Sequence, residues 1–219
     1  MKTMQKTREK TRKLVVAGML SAVTMVLGLT PLGIIPIGPL NATILHVPVI
    51  IGAVLEGPVV GFVIGLIFGL FSLYRAAVGG SVLAPLFLNP VVTILPRVLI
   101  GPVAYYVFRG ISHLTRKRAL SVGAAAVAGT LTNTIGVMGL IFILYAQQYA
   151  DLMGISSQGV GLAILSASAV NGIPECILAA VVTVAVVLAV WKLTGSGPHS
   201  GEPHIGGATP PERESPRKG

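Results

Sequence analysis

The 219-residue sequence contains few charged residues, few aromatic residues and a single cysteine, Cys176. Charged residues make up 11% of the chain, whereas hydrophobic residues make up 53%. A soluble domain carries about 25% charged residues, so this composition excludes an ordinary soluble globular protein. The lone cysteine excludes a disulfide within the chain. The mean hydropathy of +0.84 indicates an integral membrane protein instead.

The sequence also lacks the motifs by which common enzymes are recognised. It has no G-x-x-x-x-G-K-[ST] segment for nucleotide phosphates, no H-E-x-x-H and no G-x-S-x-G. No paired cysteines predict a metal site, and no basic patch interleaved with aromatic residues predicts binding of RNA or DNA. We therefore predict no catalytic residue, no ATPase activity, no metal, no cofactor and no nucleic-acid partner for this chain.

Six apolar segments are long enough to cross a bilayer as helices, for which about 20 residues are needed. They lie at 14–30, 40–56, 58–75, 86–108, 120–146 and 160–193. We predict an all-α integral membrane domain of six transmembrane helices over 14–193, after a basic segment 1–13 and before a disordered tail 194–219. The basic start also resembles that of a signal peptide, but no convincing cleavage site follows the first apolar run.

Basic residues outnumber acidic ones by 16 to 7, giving a net charge of +9, and most of them flank the spans. Six lie within residues 1–13 and four between residues 109 and 118. Cytoplasmic loops are enriched in Lys and Arg, so we predict that both regions lie on the cytoplasmic side of a bacterial inner membrane. Six crossings then place both termini in the cytoplasm and the segments 31–39, 75–85 and 147–159 outside.

Glycine is abundant, and four glycines recur at every fourth position of the stretch GPVVGFVIGLIFG: Gly57, Gly61, Gly65 and Gly69. Residues four apart share one face of a helix, so these glycines form a groove without side chains. A neighbouring helix can pack closely into such a groove. We favour packing within the chain, because six spans are available, over the alternative of a dimer interface.

Polar side chains inside the predicted spans carry the functional information. A central arginine such as Arg97 costs about 2.5–3.5 kcal/mol to insert, so it needs a partner or a wet cavity. Either Glu175 or an anionic ligand could neutralise it, and both alternatives stay open. Taken singly, the remaining candidates fit hydrogen bonds between helices, but together they suit a small polar solute. These candidates are Asn89, Asn133, Asn171 and His46.

Three segments together resemble the S components of energy-coupling factor (ECF) vitamin transporters: LNATILHVPVIIGAVLEGPVVG, LNPVVTILPRVLIGPVAYYVF and AVNGIPECILAAVVTVAV. The similarity covers about residues 14–193 and is nearest to the pantothenate and hydroxymethylpyrimidine/pyridoxine types. It implies a six-helix membrane protein that captures a water-soluble vitamin from outside. The partners it implies are a transmembrane coupling (T) subunit and two ATP-binding subunits, which energise uptake.

The resemblance assigns roles to two sets of residues. The family's AxxxA docking motif on the first helix falls at Ala17 and Ser21, and Gly18 and Ala22 form an adjacent pair of small residues. The family binds its ligands among the outer loops and helices four to six, which points to Asn89, Arg97, Asn133, Asn171 and Glu175. Arg97 would meet a ligand carboxylate, which favours pantothenate, while pyridoxine, hydroxymethylpyrimidine and riboflavin remain alternatives.

Two other functional classes are weaker alternatives. A stand-alone secondary transporter or small efflux protein would act as a dimer through the glycine face. No acidic residue of the spans is placed as an ion-coupling site for such a protein. A membrane enzyme acting on lipids would need an acidic or histidine cluster at the interface, and the sequence shows none. We therefore expect a substrate-binding protein.

Overall fold

The computed structural model describes residues 2–30, 33–37, 40–79, 82–115 and 117–195, and helices dominate this part of the chain. The predicted helical fold class is confirmed. The elements are α1 (Lys2–Leu29), β1 (Ile34–Ile37), β2 (Leu40–Thr43), α2 (Val47–Glu56), α3 (Pro58–Val78), α4 (Ala84–Phe87), α5 (Pro90–Thr115), α6 (Arg118–Met153) and α7 (Val160–Thr194). The predicted disordered tail lies outside the described residues from residue 196 onwards.

Five helical segments of the described chain are long and apolar enough to cross a membrane: Thr7–Leu29, Pro58–Val78, Pro90–Thr115, Arg118–Met153 and Ser157–Thr194. The second predicted span differs, because its residues 40–43 form a strand that pairs with β1 in an antiparallel hairpin. Helix α2 follows with only ten residues, or about 15 Å, and has proline in its first turn. A continuous helix over 40–56 is therefore wrong, and the total of six crossings stays a prediction.

Contacts at both ends of α1 and α3 show that these helices run in the same direction. Near the start of α1, Arg12 pairs with Glu56 beside the start of α3, with 3.0 Å between Nη2 and Oε2. Near the end of α1, the carbonyl oxygen of Gly28 accepts a hydrogen bond from Arg75, close to the end of α3. The hairpin and α2 therefore carry the chain back along the bundle between two parallel helices.

The later helices alternate in direction. Gly61 lies against Gly101 and Gly69 lies against Ile94, so α3 and α5 are antiparallel. Similar reversed contacts join α5 to α6 and α6 to α7. One end of the bundle, the basic end, thus collects the start of α1, the α2–α3 turn and the α5–α6 connection. The opposite end, the hairpin end, collects β1, β2 and the segments 82–89 and 154–159.

Three of the four regularly spaced glycines pack against α5 within the chain. A Cβ atom at Gly61 would lie 2.8 Å from the Cα atom of Gly101, and one at Gly65 would collide with the carbonyl oxygen of Arg97. Gly57 lies instead between α2 and α3, where its φ of 103° belongs to a region that favours glycine. The small residues of α3 therefore determine how closely the backbone of Arg97 approaches.

The larger hydrophobic core surrounds α2. Residues 47–54 of this helix are all buried, which explains why it is apolar on every face. Ile50, Ile64 and Ile100 are fully buried in this core and come from α2, α3 and α5. A second core joins α4, α5, α6 and α7, and one of its members, Val137, also lines a cavity between these helices and β2.

Candidate functional site

A cavity of about 400 Å³ is formed by β2, α4, α5, α6 and α7. This volume lies in the range of small-molecule sites. Its lining residues combine polar and apolar side chains: Thr43, Phe87, Arg97, Asn133, Thr134, Val137, Met138, Ala167, Asn171 and Glu175. Four of the six predicted binding residues lie in this one lining, namely Arg97, Asn133, Asn171 and Glu175. That these four contact a substrate stays a prediction.

Arg97 is held by a backbone group that its neighbour Pro96 leaves without a helical partner. A proline inside a helix lacks the N–H group that would bond to the carbonyl oxygen four residues earlier, here that of Val92. The Nη1 atom of Arg97 donates a hydrogen bond to this oxygen at 3.1 Å. With only 8% of the residue exposed, the guanidinium group is fixed deep in the bundle.

Two aromatic rings lie close to the same guanidinium group. The Cζ atom of Arg97 is 5.8 Å from the ring centroid of Phe68 and 5.8 Å from that of Phe87. Both distances fit cation–π contacts. The Nε atom is buried and has no hydrogen-bond partner among the described residues. Arg97 therefore has a donor left for a planar anion such as a carboxylate, which a guanidinium group binds well.

Glu175 of α7 anchors the hairpin to the wall of the cavity. Its Oε1 atom accepts hydrogen bonds from the backbone nitrogen and from Oγ1 of Thr43, both at 2.9 Å. Within the described part of the chain, the ion pair found is that of Arg12 with Glu56. Glu175 therefore does not form an ion pair with Arg97 in this structure. The anionic ligand is the alternative that this leaves.

Two asparagine side chains contribute amide groups from neighbouring helices. The Oδ1 atom of Asn133 is buried and accepts no hydrogen bond from the described residues. The Nδ2 atom of Asn171 donates to the carbonyl oxygen of Ala167 at 3.0 Å, one turn earlier in α7. Leaving a buried acceptor unpaired costs about 1–3 kcal/mol. Asn133 is therefore suited to accept a hydrogen bond from a ligand hydroxyl or amide.

Two predicted binding residues lie outside the cavity lining and bond to the protein itself. The Nδ2 atom of Asn89 donates to the hydroxyl of Tyr145 at 2.8 Å, where the non-helical φ and ψ of −138° and 23° mark a kink in α6. His46 is fully buried, with 2.9 Å between its Nε2 and the Oγ1 of Thr130. These bonds favour structural roles, while a contact with substrate stays a prediction for both residues.

Several lining residues were not predicted from the sequence. Phe87, Val137, Met138 and Ala167 look like ordinary apolar residues of a span. Helical spacing is the one signal that could have found two of them. Val137 lies four residues after Asn133 and Ala167 lies four residues before Asn171, so each shares a helix face with a polar candidate.

The two pairs of small residues on α1 have different surroundings. Ala17 and Ser21 are buried, and α1 packs against α2 and α3. Gly18 and Ala22 are exposed, and a Cβ atom at Gly18 would meet no atom within 4 Å. The second pair is therefore the one that another protein could approach, whereas the first pair is used within the chain.

Comparison with known proteins gives consistent matches. The model of a family described as "ECF transporter, substrate-specific component" matches residues 12–187, which include every residue of the cavity lining. The pantothenic acid transporter PanT of Lactococcus lactis subsp. cremoris (strain MG1363) is 32% identical over 168 residues, or 70% of this chain and 80% of that protein. The pantothenate transporter PanT of Leuconostoc mesenteroides subsp. mesenteroides is 29% identical over 187 residues, or 81% of this chain and 91% of that protein.

Proposed function

We propose that this chain, which belongs to the family of substrate-specific components of ECF transporters, captures pantothenate outside a bacterial inner membrane. It then delivers the vitamin through an ATP-driven energising module made of other subunits. The observation that carries the choice of substrate is the buried Arg97, whose Nε is unpaired among the described residues and whose side chain lines the cavity. The names of the two relatives support the same choice.

Pantothenate suits the other groups of the lining. It is a flexible aliphatic acid with an amide, two hydroxyl groups and a pair of geminal methyl groups. In the proposed complex, Arg97 binds the carboxylate, and Asn133 accepts a hydrogen bond from a hydroxyl or the amide. Val137 and Met138 face the methyl groups. Phe87 already lies against Arg97, so this ring does not favour a vitamin that binds by ring stacking.

Calorimetry on the purified protein tests this proposal with two ligands, pantothenate and pantothenyl alcohol, in which a hydroxymethyl group replaces the carboxylate. The unmodified protein should prefer the acid. Arg97→Gln should weaken binding of the acid by about 10- to 100-fold, which corresponds to the loss of a hydrogen bond to a charged group. Binding of the alcohol should change little.

Arg109→Gln is the matched control, because it removes the same charge from an exposed site on the same helix. This variant should keep the affinity of the unmodified protein for both ligands. Equal affinity of the unmodified protein for acid and alcohol, or an unchanged preference in Arg97→Gln, would contradict the role proposed for Arg97.

The energising module is proposed to consist of a transmembrane coupling subunit and two ATP-binding subunits. We place the docking contact on the exposed Gly18–Ala22 face of α1, because the Ala17–Ser21 pair is buried. Small residues on this face allow another helix to approach closely. In vesicles that contain the complete transporter, Ala22→Leu should abolish ATP-driven uptake and leave pantothenate affinity unchanged.

Ala185→Leu serves as the control for docking, since Ala185 is an exposed alanine on α7, far along the chain from the α1 face. Uptake should persist in this variant. Normal uptake by Ala22→Leu would move the docking surface to another face of the molecule.

A dimeric secondary transporter is the second candidate. The glycine face that it would use is already packed, since Gly61, Gly65 and Gly69 lie against α5 of the same chain. This packing weighs against the dimer. Pantothenate uptake by the purified chain alone, driven by an ion gradient without ATP, would favour the secondary transporter.

A further inference from the structure

A second cavity lies at the basic end of the bundle, among α1, the α2–α3 turn and α5. Its volume is about 490 Å³, and it shares no lining residue with the candidate substrate cavity. The residues that matter for its chemistry are Lys10, Lys13, Leu14, Val59, Val63 and Tyr105. We refer to it as the basic groove.

The charge of the basic groove is positive. Lys10 and Lys13 lie three residues apart on α1, so their side chains lie on the same side of the helix. Glu56 is the acidic residue of the lining, and Arg12 pairs with it at 3.0 Å. Among the described residues, the ion pair found is that of Arg12, so neither lysine has an acidic partner there and both charges can bind an anion.

The rest of the groove presents apolar surface next to these lysines. Leu14 is 75% exposed and Val59 is 73% exposed, so both aliphatic side chains are open to the lipid around the groove. Helix α1 changes from basic to apolar between Lys13 and Leu14, as a helix does where it enters a membrane. Tyr105 also lines the groove, and aromatic residues are enriched where spans meet the membrane–water interface.

We propose that the basic groove binds an anionic phospholipid from the leaflet at the basic end. The headgroup phosphate lies between Lys10 and Lys13, and one acyl chain runs along Leu14, Val59 and Val63. Cations next to membrane spans attract anionic lipids in this way, and the exposed aliphatic side chains supply the surface for the chain. This proposal does not depend on the identity of the transported substrate.

Native mass spectrometry of the full-length protein in detergent, titrated with phosphatidylglycerol or phosphatidylcholine of equal chain length, tests the site. The unmodified protein should bind phosphatidylglycerol about tenfold more tightly than phosphatidylcholine. The double variant Lys10→Gln/Lys13→Gln should lose this preference. Val59→Trp, which fills the groove without changing its charge, should weaken binding of both lipids.

The double variant Lys117→Gln/Arg118→Gln is the matched control, because it removes two exposed cations from the same end of the bundle. It should bind phosphatidylglycerol as the unmodified protein does. Thermal unfolding shows which variants are folded. The proposal would be overturned if the unmodified protein bound both lipids equally. It would also be overturned if the control lost as much phosphatidylglycerol affinity as Lys10→Gln/Lys13→Gln. Either result would mean that the groove binds lipid no better than the remaining basic surface.

Discussion

At the scale of single residues, Pro96 and Arg97 depend on each other. Pro96 leaves the Val92 carbonyl oxygen without a helical donor, and Arg97 bonds to that oxygen through Nη1. The residue that weakens the helix thus leaves free the backbone oxygen to which Arg97 bonds. A lysine would not reproduce this arrangement, because it lacks the planar set of donors that can bond to a carbonyl oxygen and a carboxylate together.

This dependence predicts the effect of Pro96→Ala. Alanine restores a backbone N–H that bonds to the Val92 oxygen and competes with Arg97. We expect pantothenate to bind about fivefold more weakly, corresponding to about one net hydrogen bond, while pantothenyl alcohol binds as before. Calorimetry measures both affinities. Pro102→Ala, which restores an N–H elsewhere in α5, is the control, and an equal effect of both variants would show that helix geometry alone is responsible.

Polarity within an apolar span identified Arg97 and Asn133, but it identified Asn89 and His46 equally well. The difference between these pairs lies in the residues opposite them. Asn89 bonds to a side chain 56 residues away and His46 to one 84 residues away. The sequence shows which side chains are unusual in a membrane, whereas packing decides which of them find a partner within the protein.

At the scale of secondary structure, the spacing between α3 and α5 is set by residues without side chains. A Cβ atom at Gly65 would collide with the carbonyl oxygen of Arg97. We expect Gly65→Ala to lower the free energy of unfolding by about 1–3 kcal/mol, as overpacking does, and to weaken pantothenate binding because α5 must shift. Thermal unfolding and calorimetry measure the two effects.

Gly139→Ala is the control for this prediction. A Cβ atom at Gly139 would meet no atom within 4 Å, so alanine at this position of α6 should leave stability and binding almost unchanged. If Gly65→Ala is as stable as Gly139→Ala, α3 and α5 do not pack as closely at Gly65 as the structure shows.

The hairpin is a second element that bonds to a residue far along the chain. Glu175 accepts two hydrogen bonds from Thr43, one of them from the backbone nitrogen. Glu175→Ala should therefore speed hydrogen exchange at the Thr43 amide by about tenfold, since one bond to a charged acceptor is lost. Glu175→Gln retains an acceptor oxygen and should have a smaller effect. Equal exchange in all three proteins would show that the hairpin is held by other contacts.

The helices with long apolar runs could be predicted from the sequence, but the hairpin could not. Residues 40–56 read as one apolar span, and Pro48, which favours the first turn of a helix, does not by itself indicate a strand before it. The strand before it exists because residues 34–37 pair with residues 40–43 and because Glu175 binds Thr43. Both contacts join parts of the chain that a local pattern treats separately.

At the scale of the whole molecule, the parallel arrangement of α1 and α3 bears on the number of crossings. The ten residues of α2 are too short to cross a bilayer core alone, yet α3 begins at the same end of the bundle as α1. The segment between them must therefore return through the thickness of the bundle. This return supports six crossings, although α2 is buried among other helices and does not face lipid.

Reporter fusions test the resulting topology. With six crossings and a cytoplasmic basic end, a fusion after Gly79 lies outside and one after Gly195 lies in the cytoplasm. With five crossings from the same start, because α2 would not cross, both locations are exchanged. We expect alkaline phosphatase to be active after Gly79 and inactive after Gly195, with green fluorescent protein giving the opposite pattern. Active phosphatase after Gly195 would rule out six crossings and would place the two termini on opposite sides. That result would also contradict the parallel arrangement of α1 and α3, because five crossings place the beginnings of these two helices on opposite sides of the membrane.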